Sequence, residues 1–176
     1  MIRADFSFFL LIALLFLLRD SHTALSIIMV CGAHEWGHLA FMALLRAKIR
    51  EIRLSGFGIR IVTAKNGAEP ILKSLAILLA GSAVNFLLFA LLREKSPDTA
   101  MLSLAAGVYN LLPYSQLDGG AVLELFILGS RYERELRIAL RLLRMALFAL
   151  SAVLVYIYGY EYVPLSAALL LLCLAK

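Results

Sequence analysis

Long apolar runs recur along this chain and restrict what it can fold into. Of its 176 residues, 62% are hydrophobic and only 16% are charged. Apolar runs of about 20 residues are typical of transmembrane helices, because a helix needs that length to cross a bilayer. The sequence therefore predicts an all-α polytopic membrane protein with about six transmembrane segments. We expect 1–176 to form a single transmembrane domain, with its core at about 24–128 and C-terminal helices at about 131–176.

The first apolar run could be a signal peptide or a short transmembrane helix. It ends in Arg19-Asp20, and His22 stands where a cleavage site needs a small residue, so we favour the helix. A later segment is interrupted at Pro113, because the proline ring cannot continue the helical hydrogen-bond ladder. The predicted segments lie at about 6–18, 24–45, 71–92, 99–128 (with that interruption), 131–158 and 163–175.

The stretch from Ile49 to Ile61 does not follow the transmembrane pattern. Its apolar residues alternate with charged ones around a Ser-Gly-Phe-Gly turn. Alternation with a glycine-bearing turn is typical of paired strands, so we predict a membrane-associated β-hairpin after the second segment. An irregular interfacial loop is the alternative interpretation.

The basic residues are distributed unevenly over the predicted loops. If the N-terminus lies inside, 14 of the 17 Lys and Arg residues fall on the inner side, as the positive-inside rule requires. The expected location is thus a membrane, taken to be a bacterial cytoplasmic membrane, with both termini cytoplasmic. We attribute the net charge of +5 to topology and contact with anionic membrane lipids, not to nucleic acid.

The second predicted segment carries His34-Glu35-Trp36-Gly37-His38, an H-E-x-x-H sequence. Ionisable side chains cost about 2.5–3.5 kcal/mol each at the centre of a membrane helix, so a group of three indicates a function. Residues four apart share one helix face, which lets His34 and His38 bind one metal ion with Glu35 beside it. This arrangement is typical of zinc hydrolases.

A catalytic zinc needs three protein ligands and one open position. His22 lies too far along the helix axis, and Glu124 lies deeper in a later segment. Asp118 is the better candidate, because it follows a proline break and precedes two glycines that let the backbone turn.

Three motifs together resemble the site-2 protease family of intramembrane zinc metalloproteases. They are His34-Glu35-x-x-His38, then Gly81-x-x-x-Asn85, then Asn110-x-x-Pro113-x-x-x-x-Asp118-Gly119, in consecutive segments. The size and the hairpin look most like the compact bacterial branch, which includes the sporulation protease that processes a pro-sigma factor. The resemblance covers about residues 1–130 of the chain. Gln116 and Ala121 depart from the family pattern, which puts the branch and the local loop shape in doubt.

The resemblance implies an intramembrane zinc endopeptidase with one zinc ion per chain. His34, His38 and Asp118 would bind the metal, and Glu35 would be the catalytic base. Asn85 and Asn110 would help hold substrate or stabilise the oxyanion. Separately from the resemblance, the alternating pattern from Ile49 to Ile61 suggests that the hairpin binds an unwound substrate segment by strand pairing. The expected partners are a single-pass transmembrane protein cut near the cytoplasmic face, membrane lipids and a regulatory membrane protein.

Three other interpretations of the sequence remain open. Another class of membrane zinc protease also uses H-E-x-x-H, but with a glutamate as the third ligand. A metal transporter or a haem-binding membrane protein could use His34 and His38 without needing Glu35. An inactive relative would bind transmembrane partners without cutting them, but nothing in the sequence supports this interpretation, since all the expected chemical groups are present.

Overall fold

Five helices with described bounds and three short strands make up most of the described part of the chain, and residues 12–13 and 15–17 are also helical. The computed structural model describes residues 2–4, 12–13, 15–17, 19–47, 49–55, 58–63 and 70–158. The helices are α1 (Ser21–Leu44), α2 (Ile71–Leu92), α3 (Pro97–Asn110), α4 (Asp118–Ile127) and α5 (Glu133–Tyr158). The strands are β1 (Ile2–Ala4), β2 (Ile49–Ser55) and β3 (Gly58–Thr63).

Three of the described helices are long and apolar enough to cross a membrane: Ser21–Leu44, Ile71–Leu92 and Glu133–Ile157. Their length and composition support a membrane protein. The predicted fourth segment is two helices of 14 and 10 residues, and at 1.5 Å per residue neither alone reaches about 30 Å. The predicted segment at 163–175 and most of the one at 6–18 lie outside the described residues, so the count of six stays a prediction.

The helix boundaries follow from local sequence. The Asp20 carboxylate accepts a hydrogen bond from the Thr23 backbone N–H at 2.8 Å, which caps the start of α1. This hydrogen bond lowers the pKa of Asp20 below its ordinary value. Pro70 precedes α2 and Pro97 begins α3, positions where the missing proline N–H costs no helical hydrogen bond.

The chain divides into two compact units, Met1–Val108 and Tyr109–Lys176. In the first unit, α1 packs against α2 at small residues. A Cβ on Gly37 would lie 2.7 Å from the Ala80 carbonyl oxygen and 2.9 Å from Val84 Cγ2, so only glycine permits this approach. Small residues bring helices close in this way where lipid provides no hydrophobic driving force.

The strands of the first unit form one sheet in the order β1-β2-β3. β2 and β3 are antiparallel, with Ile52 opposite Ile61 and Leu54 opposite Ile59. They lie where the sequence predicts a hairpin. β1 pairs with β2 in parallel, a strand that the sequence does not predict because three residues carry no detectable alternation.

The second unit contains a compact turn before α4. A Cβ on Gly119 would meet the Leu111 carbonyl, and one on Gly120 would meet the Tyr114 carbonyl. Tyr114 is buried and its hydroxyl donates to the Arg144 carbonyl at 3.3 Å. The turn between Leu111 and Leu117 is therefore packed onto the start of α4 through backbone contacts that a side chain at either glycine would prevent.

Candidate metal centre

His34 and His38 form a buried pair on α1. Their side chains are 6% and 7% exposed, and their Nε2 atoms lie 3.1 Å apart. Two nitrogen ligands of one tetrahedral zinc, each at 2.0–2.1 Å, are separated by about 3.4 Å. The two imidazoles thus already present their Nε2 atoms at nearly the separation of two ligands on one metal.

The ring of His38 is oriented by helix α2. Its Nδ1 lies 2.7 Å from the Ile77 carbonyl oxygen. A carbonyl oxygen can only accept, so Nδ1 carries the proton and donates it. In a neutral imidazole this leaves Nε2 with its lone pair, as a metal ligand requires.

The ring of His34 is oriented by Asn85, also on α2. The Asn85 side-chain nitrogen Nδ2 lies 3.3 Å from His34 Nδ1. Asn85 is 0% exposed, and its backbone carbonyl accepts a hydrogen bond from the Ser103 hydroxyl at 3.1 Å. Its Oδ1 atom is buried and has no hydrogen-bond partner among the residues that the structure describes.

Gly81 provides the space that the two rings occupy. A Cβ at this position would meet His38 Nε2 and would lie 2.8 Å from His34 Nε2. The predicted Gly81-x-x-x-Asn85 motif therefore lies directly against the predicted histidine pair. The first unit brings His34, His38, Gly81 and Asn85 together.

The other predicted site residues are placed as follows. Glu35 is half-buried on α1, between the two histidines in sequence. Asn110 is the last residue of α3, and Asp118 is the first residue of α4, both in the second unit. Of the predicted hairpin the structure describes the two strands but not residues 56–57 between them, and β3 has a strand neighbour on one side within the three-stranded sheet.

The residues weighed as alternative ligands are engaged or exposed elsewhere. His22 is exposed near the start of α1. The Glu124 carboxylate accepts a hydrogen bond from Arg137 at 2.9 Å and forms an ion pair with it.

Sequence reasoning missed two residues of this centre. The Ile77 carbonyl orients His38, but a backbone acceptor leaves no signal in side-chain identity. Ser103 supports Asn85 from α3, and one serine in a membrane helix does not reveal its partner. Both contacts depend on how α1, α2 and α3 pack in the first unit.

The chain resembles a solved structure of the site-2 protease from Methanocaldococcus jannaschii. The TM-score is 0.65 with 19% sequence identity, and the match covers 98% of this chain and 85% of that chain. A scan against protein-family models and a search of curated proteins found no match. The similarity establishes a shared fold across nearly the whole chain.

Proposed function

We propose that this protein is an intramembrane zinc endopeptidase of the site-2 protease type, from the compact bacterial branch. One observation supports the proposal most directly: His34 and His38 hold their Nε2 atoms 3.1 Å apart while buried on an apolar helix. Burying two imidazoles in such a helix is costly unless they bind something. The shared fold with a site-2 protease supports the same conclusion.

The proposed zinc ligands are His34, His38 and Asp118, with one zinc per chain. Each offers one ligand atom, an imidazole nitrogen or a carboxylate oxygen, and nitrogen and oxygen donors suit zinc. The hydrogen bond from His38 Nδ1 to the Ile77 carbonyl leaves His38 Nε2 in the form that binds a metal. This donor set of two histidines and one carboxylate leaves a fourth position for water or substrate.

A zinc ion held by these residues would lower the pKa of a water molecule bound to it to about 7 and would polarise the scissile carbonyl. The protein supplies the proton transfers. Glu35 accepts a proton from the attacking water and later delivers it to the leaving amine. Asn110 is proposed to donate a hydrogen bond to the developing oxyanion.

The proposed substrate is a single-pass transmembrane or membrane-associated regulatory protein, cut near the cytoplasmic face. A substrate helix must unwind before hydrolysis, because its carbonyls are otherwise hydrogen-bonded within the helix. An extended segment could regain those hydrogen bonds by pairing with a sheet edge. β1 and β3 are the two edges of the described sheet, and we propose β3, the edge strand that lies in the predicted hairpin.

The test uses Glu35→Gln, which keeps the size of the side chain and removes its basicity. The chain is co-expressed with candidate single-pass regulatory proteins, and fragments are followed by immunoblotting. We expect a fragment with the wild-type chain, none with the variant, and equal zinc content in the two purified proteins. An identical fragment from the variant would contradict the role of Glu35.

A second comparison tests the ligand set. Asp118→Ala should lower zinc content well below one ion per chain. Full zinc content in this variant would favour a site built with another third ligand, and zinc transport that survives Glu35→Gln would favour a transporter.

A further inference from the structure

We propose that Asn85 is a positioning residue for His34, holding this imidazole so that its Nε2 lone pair faces the metal. The inference rests on the proposed function, since it concerns the same metal. It differs from the substrate-binding role that the sequence resemblance implies for Asn85. Three observations support it: the contact to His34 Nδ1, the complete burial of Asn85, and the lack of a partner for its Oδ1 atom within the described part of the chain.

The argument starts from the protons on His34. A neutral imidazole carries one proton, so a ring that binds metal through Nε2 must carry it on Nδ1. That Nδ1–H then needs an acceptor, because a buried donor without a partner costs about 1–3 kcal/mol. Metal-binding histidines generally donate this proton to a carboxylate, a carbonyl or water. His38 does so through Ile77.

Asn85 can supply the equivalent acceptor for His34. As placed, the Asn85 Nδ2 amide donates to His34 Nδ1 at 3.3 Å, which puts the His34 proton on Nε2, 3.1 Å from His38 Nε2. Turning the amide by a half rotation exchanges Oδ1 and Nδ2. Oδ1, which lacks a partner among the described residues, then accepts from His34 Nδ1–H. The Asn85 side chain can therefore form a hydrogen bond with His34 Nδ1 in either tautomer of the ring.

Burial separates this role from a substrate contact. Asn85 is 0% exposed, and its backbone is held by the hydrogen bond from Ser103. A side chain that is enclosed and already directed at an imidazole has no surface for a peptide. Its effect on catalysis therefore passes through His34.

The experiment compares zinc affinity in two variants of the full-length protein in detergent. In Asn85→Leu the side chain has a similar volume but cannot accept a hydrogen bond from His34 Nδ1–H. In Asn85→Asp either carboxylate oxygen can accept it. We expect the leucine variant to bind zinc about 10- to 100-fold more weakly, the range for loss of such a partner. The aspartate variant should bind close to wild type. Zinc competition against a chromophoric chelator gives the affinities, and the visible spectrum of the cobalt-substituted protein reports the ligand geometry.

Ser82→Ala is the matched control. Ser82 is equally buried on α2, and its hydroxyl has no hydrogen-bond partner among the described residues, so its loss should leave zinc affinity unchanged. Thermal unfolding shows whether each variant folds. The inference would be overturned if Asn85→Leu bound zinc as tightly as the wild type. It would also be overturned if the leucine and aspartate variants lost zinc affinity equally. Failure of the wild-type chain to bind zinc at all would instead overturn the proposed function.

Discussion

The candidate metal centre depends on the absence of a side chain at Gly81. Any Cβ there would fall on His38 Nε2 and lie 2.8 Å from His34 Nε2. The position is on α2, four residues before Asn85, so one helix face both leaves room for the ligands and orients one of them.

Gly81→Ala should therefore displace the two imidazoles and weaken zinc binding. Overpacking of this kind costs about 1–3 kcal/mol, so we expect the unfolding temperature to fall together with zinc content. Gly32→Ala on α1 is the control, because a Cβ there meets nothing within 4 Å. Zinc content and thermal unfolding of both purified variants check this expectation. Normal zinc content in Gly81→Ala would contradict the observed packing.

The residues of the histidine pair were predictable, whereas the atoms that orient them were not. His34 and His38 are four apart in an apolar segment, and helical geometry alone puts residues with that spacing on one face. The pattern Gly81-x-x-x-Asn85 points to an interhelical contact but not to its target. That target depends on the rotation of α2 against α1, which is determined by Gly37 and Ala80 packing together.

At the level of secondary structure, the turn before α4 is the element on which the placement of Asp118 depends. Gly119 and Gly120 lie against the carbonyls of Leu111 and Tyr114. The break at Pro113 was predictable, because proline cannot continue a helix. The close backbone approach that follows was not, since two adjacent glycines fit many turns.

Gly120→Ala should disturb this turn and shift the start of α4. Its Cβ would meet the Tyr114 carbonyl and lie 2.8 Å from the Ser115 backbone nitrogen, neither of which is the end of a flexible side chain. If Asp118 binds zinc as proposed, the variant should lose zinc while the protein keeps its overall helix content. Zinc analysis and circular dichroism measure the two effects. Retention of a full zinc complement would show that Asp118 is not needed or that the turn adapts.

At the level of the whole molecule, charge distribution predicts the orientation in the membrane. With the N-terminus inside, the end of α2 lies outside and the start of α5 lies inside. Labelling of single cysteines tests this orientation. Cys31 and Cys173 are first replaced by serine, and a cysteine is then introduced at Lys95 or at Arg134, both of which are exposed. We expect an impermeant thiol reagent to label Lys95→Cys in intact cells and Arg134→Cys only after permeabilisation. The opposite labelling pattern would reverse the topology.

The overall architecture was predictable only where long segments carry a strong signal. α2 occupies Ile71–Leu92, the range its apolar run predicts, because about 20 apolar residues specify a spanning helix. β1 was missed, because Ile2–Ala4 forms a strand only by pairing with β2. Pairing between distant segments depends on tertiary structure, which local pattern does not encode.

If zinc binds as proposed, the hydrogen bond from His38 Nδ1 to the Ile77 carbonyl gives the metal a second effect, on the stability of α2. In a regular helix this carbonyl also accepts the N–H of Gly81, four residues on, and its two lone pairs serve both donors. A ligand that binds only the intact arrangement stabilises it, by about 2.7 kcal/mol at 100 times its dissociation constant.

Zinc should therefore slow hydrogen–deuterium exchange of amides in the turn of α2 that contains Gly81. The apolar part of α5, which has no role in the proposed site, should exchange at the same rate with and without the metal. Unchanged exchange at Gly81 would mean that the His38 contact is not coupled to metal binding. If zinc binds as proposed and the coupling holds, local opening of α2 and release of the metal are a single equilibrium, so fluctuations of α2 limit how long the protein keeps its zinc.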